Sequence, residues 1–180
     1  MISKAIAFAN EKHAGQVRKG SRIPYILHPL EAGIIISQIV FDEELIAAAI
    51  LHDLVEDAGV TLDTIAQAFS PRVAQLVASQ TEDKSRTWNE RKQHTVEKLP
   101  DAAYEVKLLT LADKLSNARS LWRDYKQLGD GLWERFNMKD KQQQYMYYRG
   151  LVAGLADLSD LVEYQEFKML VGKIFGEGDK

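Results

Sequence analysis

The sequence predicts an all-α fold, and three observations carry that prediction. Apolar residues recur at spacings of three and four along most of the chain. Its four prolines punctuate those patterns and do not interrupt them. No Asn-Gly or Asp-Gly pair stands between alternating apolar runs, so no hairpin signal is present.

The elements follow in order. Ile2, Ile6, Phe8 and Ala9 mark an opening amphipathic helix. Pro24 and Pro29 bracket PYILHP, which is expected to be non-helical up to about His28. Residues 30–40 read as an apolar helix, although the β-branched run IIISQIV would also suit a strand. Asp42 is placed to cap a helix through Leu45, Ile46, Ala49 and Ile50. Thr61 caps the next, and Ile65, Phe69, Val73, Leu76 and Val77 keep helical spacing, with Pro71 suited to a first turn. Segments near 88–98, 103–126, 140–156 and 159–175 are helical by the same test. A polar loop near 80–88 is expected to be the least ordered part, and Gly129-Asp130-Gly131 reads as a loop. With no repeat, low-complexity tract or linker, residues 1–180 are expected to form a single compact helical bundle.

Composition narrows the function. The chain is 46% hydrophobic, which is ordinary for a globular protein and unlike a disordered one. It has no cysteine, which excludes disulfides, thiolate-held zinc, iron–sulfur clusters and thiol nucleophiles. There are 23 basic and 26 acidic residues, a net charge of −3, which argues against a general nucleic-acid binder but leaves room for a local basic pocket. Charges at Lys4, Glu11 and Lys12 break any leader-like apolar run. The longest apolar stretch, Leu45 to Leu51, is far short of the ~20 residues that span a bilayer. A soluble, cytoplasmic protein without a membrane partner is expected.

Three constellations carry chemistry. In AAAILHDLVED, residues 47–57, an apolar helix runs into His52, Asp53, Glu56 and Asp57. On a helix His52 and Glu56 share a face, as do Asp53 and Asp57. Such charges at the end of a buried helix need a partner, a metal or water. In KLLTLADKLSNARSL, residues 107–121, Asp113 sits among Leu108, Leu109, Leu111 and Leu115, with Lys114, Asn117 and Arg119 nearby. A buried Asp there needs a cation, either a metal or a basic side chain. In GQVRKGSRIPYILHP, residues 15–29, Arg18, Lys19 and Arg22 precede Tyr25 and His28. Basic groups beside an aromatic suit a phosphorylated, base-containing ligand; a solvated charge run beside a core histidine is the plainer reading. If His28, His52, Asp53 and Asp113 converge, two imidazoles and two carboxylates favour manganese, iron or zinc over magnesium or calcium.

The ordered set of His28, His52-Asp53 and Asp113 resembles the HD-domain metal-dependent phosphohydrolases. The match is closer still to the hydrolase domain of the RelA/SpoT (p)ppGpp enzymes, in their small hydrolase-only form. FANEKHAGQVRKG, PYILHPLEAG, AAAILHDLVEDAGVTLDTIAQAFSPRVAQLV, TEDK, ERK and LADKLSNARSL carry it, across the first two-thirds of the chain. Ser21-Arg22-Ile23, Ala58 and Ala118 depart from the usual pattern.

The resemblance implies an HD-type helical bundle with one divalent metal, usually Mn2+ with Zn or Fe as substitutes, held by His28, His52, Asp53 and Asp113. It implies that Glu56 and Asp57 position and activate the attacking water. Arg18, Lys19, Tyr25, Lys114 and Asn117 would bind the nucleotide. The expected reaction removes the 3′-pyrophosphate from guanosine tetra- or pentaphosphate, giving GDP or GTP. Another 3′-pyrophosphorylated or monophosphate nucleotide, or binding without turnover, are the alternatives. Homo-oligomer formation stays open at this stage.

Overall fold

The computed structural model describes residues 1–176; the last four residues of the expected bundle lie outside it. Among the described residues the elements are helical, and one isolated antiparallel bridge joins Val17 to Pro24. The backbone forms two compact units, residues 1–82 with 103–113, and residues 83–102 with the described residues from 114 onward.

The first unit contains α1 (Ile2–Lys12), α2 (Leu27–Ile39), α3 (Glu43–Leu51), α4 (Leu54–Asp57), α5 (Leu62–Ala68), α6 (Pro71–Gln80) and the first part of α8 (Tyr104–Leu128). Its centre is α3, in which every residue from Leu45 to Leu51 is buried. A helix that is apolar all round must be packed on several sides, and α1, α2 and α6 supply the packing. On α2, Gly33 makes the close approach to α3: a Cβ there would stand 2.7 Å from Ile50 Cγ1. The IIISQIV run is therefore helix, not strand, because burial on this face outweighs the strand preference of its β-branched residues.

Caps set the boundaries. Asp42 accepts from the Glu44 and Leu45 amides, Thr61 from Thr64, and Ser70 from Val73. The spacing from Thr61 to Val77 is split into two helices at Ser70-Pro71, since Ser70 is extended and Pro71 opens α6. Arg72 of α6 joins three elements, donating to Asp42 at 2.6 Å, Glu44 at 2.8 Å and Glu105 at 2.6 Å.

The second unit contains α7 (Trp88–Lys98), the rest of α8, α9 (Lys141–Gly154) and α10 (Val162–Phe175), with short 3-10 turns between them. Thr87 and Glu90 form a reciprocal cap at the start of α7. Gly129-Asp130-Gly131, expected as loop, opens a 3-10 turn, Gly129–Arg135, that buries Leu132 and Trp133. Trp133 stacks on Phe175 with ring centroids 5.3 Å apart, and Tyr148 meets Phe167 at 6.2 Å. Arg119 holds Glu166 through two hydrogen bonds of 2.7 and 2.6 Å. Trp88 lies edge-on to Tyr147 at 6.0 Å, and His94 is exposed.

Candidate metal centre

The site is built where α3 stops. Its last residue is Leu51; His52 and Asp53 then form a turn, and α4 begins at Leu54. The helix therefore does not run straight through the HDLVED stretch, as its spacing alone suggested. The turn brings His52 and Asp53 to one side. There they meet His28, from the first turn of α2, and Asp113, from the middle of α8. Pro29 fits the first turn of α2, where its missing N–H is not needed.

Four ligand-type atoms converge. His28 Nε2 is 3.2 Å from Asp113 Oδ1 and 3.5 Å from Asp53 Oδ2. His52 Nε2 is 3.1 Å from Asp53 Oδ2 and 3.7 Å from Asp113 Oδ1. Both imidazoles and Asp113 are buried. Nitrogen and oxygen atoms of His28, His52 and Asp113 all lie within 4.8 Å of one another, a spacing that could hold a metal ion.

The charges favour a cation at this place. Burial lowers the pKa of His28 below the ordinary imidazole value. Burial would lower His52 too, but the carboxylates of Asp53 and Asp113 outweigh it and hold His52 well above the ordinary value. Burial would raise Asp53, yet the imidazole of His52 overrides that and keeps the carboxylate ionised. The site thus gathers buried negative charge that a divalent ion would balance. One orphaned atom supports the fit. His52 Nδ1–H donates to the Ala49 carbonyl at 2.7 Å, which turns Nε2 toward the carboxylates of Asp53 and Asp113. That Nε2 is buried and makes no hydrogen bond.

Tyr25 reaches this cluster, and the remaining expected residues lie on the loop before α2, on α4 and on α8. Tyr25 OH donates to Asp53 Oδ2 at 2.6 Å and lies 3.3 Å from Asp57 Oδ2. Burial and the adjacent Asp53 raise the phenol pKa, so the hydroxyl keeps its proton and stays a donor. The guanidinium of Arg18 stacks over the Tyr25 ring at 5.7 Å. Lys19 is exposed on a turn that Gly20 makes with φ +69°. Glu56 accepts from the Glu82 amide at 2.6 Å. Lys114 and Asn117 follow Asp113 on α8, half-buried, in the portion that belongs to the second unit.

Two residues escaped the sequence reading. His13 is buried, and its Nδ1 lies 2.7 Å from Gln16 Oε1. Gln16 Nε2 donates to the Asp57 carbonyl at 2.8 Å. Their only sequence signal is their position in the KHAGQ part of the first matching stretch.

A family model described as an HD domain matches residues 5–139. The chain belongs to the HD-domain family. Relatives within that family agree with the narrower resemblance. The guanosine-3′,5′-bis(diphosphate) 3′-pyrophosphohydrolase MESH1 of Danio rerio is 40% identical over 126 residues, covering 68% of this chain and 70% of that protein. Its counterpart in Xenopus tropicalis is 34% identical over 166 residues, covering 91% of this chain and 89% of that protein. A solved structure of a metazoan SpoT ortholog that hydrolyses ppGpp superimposes with a TM-score of 0.76 at 26% identity, over 98% of this chain and 94% of its own. The all-α HD-type fold read from the sequence is borne out, and so is the likeness to the small hydrolase-only members.

Proposed function

We propose that this HD domain removes the 3′-pyrophosphate of guanosine tetra- and pentaphosphate. The convergence of His28, His52, Asp53 and Asp113 on one buried point carries the reading. The named activities of the MESH1 relatives supply the substrate.

Those four side chains would hold one divalent ion; two imidazoles with two carboxylates suit manganese, iron or zinc, and the family resemblance favours Mn2+ among them. The chemistry such an ion supplies when bound is Lewis acidity, which acidifies water and neutralises phosphoryl charge. The protein's own groups do the rest. Tyr25 fixes one oxygen of Asp53 by donating to it. Glu56 and Asp57, adjacent on α4, are the proposed pair that orients water and takes its proton. Arg18 and Lys19 would meet the phosphates, with Arg18 already against the Tyr25 ring. Lys114 and Asn117 would add contacts from α8, Asn117 one turn beyond Asp113. In the net reaction the bond between ribose O3′ and phosphorus breaks. The elements of water divide, a hydroxyl to the released pyrophosphate and a proton to O3′.

We further propose that residues 1–180 act as one catalytic domain. The small-molecule nucleotide is its partner, and a cytoplasmic location fits that substrate. No helix among the described residues is long and apolar enough to cross a membrane.

The test is product analysis. Protein incubated with ppGpp and Mn2+ should yield GDP and pyrophosphate, and Asp53→Ala should abolish turnover. Intact ppGpp after prolonged incubation of metal-loaded wild type would refute the proposal. Turnover of other nucleotides in the same panel would reassign the substrate.

A further inference from the structure

We infer, building on the hydrolase reading above, that His13 and Gln16 are positioning residues, a hydrogen-bonded brace that sets Asp57 and Tyr25 relative to each other. His13 ends α1 and is 3% exposed. Gln16 lies three residues on, in the loop that leads to Tyr25. The amide of Gln16 has a defined orientation: its Nε2 donates to the Asp57 carbonyl at 2.8 Å, so its Oε1 faces His13 at 2.7 Å. The imidazole proton therefore sits on Nδ1 and donates to Gln16. The main-chain carbonyl of Gln16 accepts from the Tyr25 amide at 2.9 Å. One residue thus grips Asp57 with its side chain and Tyr25 with its backbone.

Tyr25 closes the ring from the other end. Its hydroxyl donates to Asp53 at 2.6 Å and lies 3.3 Å from Asp57. The His13 ring packs against the Tyr25 ring, with centroids 4.9 Å apart and planes 43° apart. Packing alone does not explain a histidine here. Its Nε2 is buried with no hydrogen bond, a cost that an apolar ring of similar size would avoid. What histidine adds is the Nδ1–H donor that fixes Gln16. Neither His13 nor Gln16 contributes an atom to the cluster of four. Both act through Asp57 and through the Tyr25–Asp53 bond, so their loss should reach kcat and metal affinity before KM.

Three variants of the full chain separate the roles. His13→Phe keeps a ring and removes the donor. His13→Asn removes the ring and keeps a donor near the Nδ1 position. Gln16→Glu keeps shape and the acceptor for His13, and replaces the donor to Asp57 with an oxygen. His13→Phe and Gln16→Glu should each lower kcat about 10-fold, change KM by less than about twofold, and weaken Mn2+ binding about 10-fold by calorimetry. His13→Asn should recover most of both losses. Recovery by Phe and not by Asn would reduce His13 to packing and overturn the brace, as would wild-type kcat and metal affinity in Gln16→Glu. Thermal melts accompany each variant; if His13→Phe fails to fold, the half-exposed Gln16 decides. If the wild type does not hydrolyse ppGpp, the hydrolase reading falls by itself. The brace is then judged on Mn2+ affinity, where equal values in all four proteins would overturn it.

Discussion

Tyr25 shows how much a single side chain can do that its neighbours in sequence do not announce. Beside Arg18 and Lys19 it read as a stacking platform for a base. In the fold its ring does carry Arg18, but its hydroxyl is committed to Asp53. Outer hydrogen bonds of this kind orient a metal ligand and raise its affinity. Tyr25→Phe should therefore weaken Mn2+ binding about 10- to 100-fold while the ring still packs. Calorimetric titration checks this, and unchanged affinity would confine Tyr25 to the nucleotide. Three of the four ligand candidates were legible for a physical reason: His52, Asp53 and Asp113 are ionisable groups inside apolar runs, where burial without a partner is expensive, whereas His28 was marked by the family resemblance. His13 and Gln16 gave no such signal. A histidine and a glutamine at the end of an amphipathic helix look solvated, and only the fold brings the Asp57 carbonyl to Gln16.

At the scale of elements, the caps were readable and the interruptions less so. Asp42, Thr61 and Pro71 mark helix starts through local chemistry that the chain carries with it. The turn at His52-Asp53 has no proline or glycine to betray it, and periodicity ran on through it. The α3 cap can be tested by pH. Hydrogen bonds from Arg72 hold Asp42 down from 3.8 to about 2. A depressed carboxylate stabilises the fold while it is ionised, so its contribution is complete above its unfolded value and is lost as pH falls through its folded value. Asp42→Asn keeps a capping oxygen and removes the charge. The melting-temperature difference between wild type and Asp42→Asn should stay constant down to roughly pH 5 and close between roughly pH 4 and pH 2. A difference that does not vary across that window would place the stabilisation in the cap alone.

For the molecule as a whole, the fold class was legible because helical spacing is local, whereas the site was only half legible because it is not. His28, His52-Asp53 and Asp113 come from three separate stretches, and spacing along a chain cannot show that they meet. The two compact units were not visible in the sequence either, since α8 carries apolar spacing without a break through the boundary at Asp113 and Lys114. If residues 1–180 act as one domain, calorimetry should show a single unfolding transition with matching calorimetric and van't Hoff enthalpies. Two resolved transitions would make the units thermodynamically independent. The most direct test of the central claim follows the reaction itself. Protein stripped with a chelator and titrated with Mn2+ is given ppGpp, and 31P NMR tracks the products. Stripped protein should be inert, activity should rise with metal and level at one equivalent, and pyrophosphate should be the phosphorus species released. Turnover that survives metal removal, or release of orthophosphate in place of pyrophosphate, would contradict it.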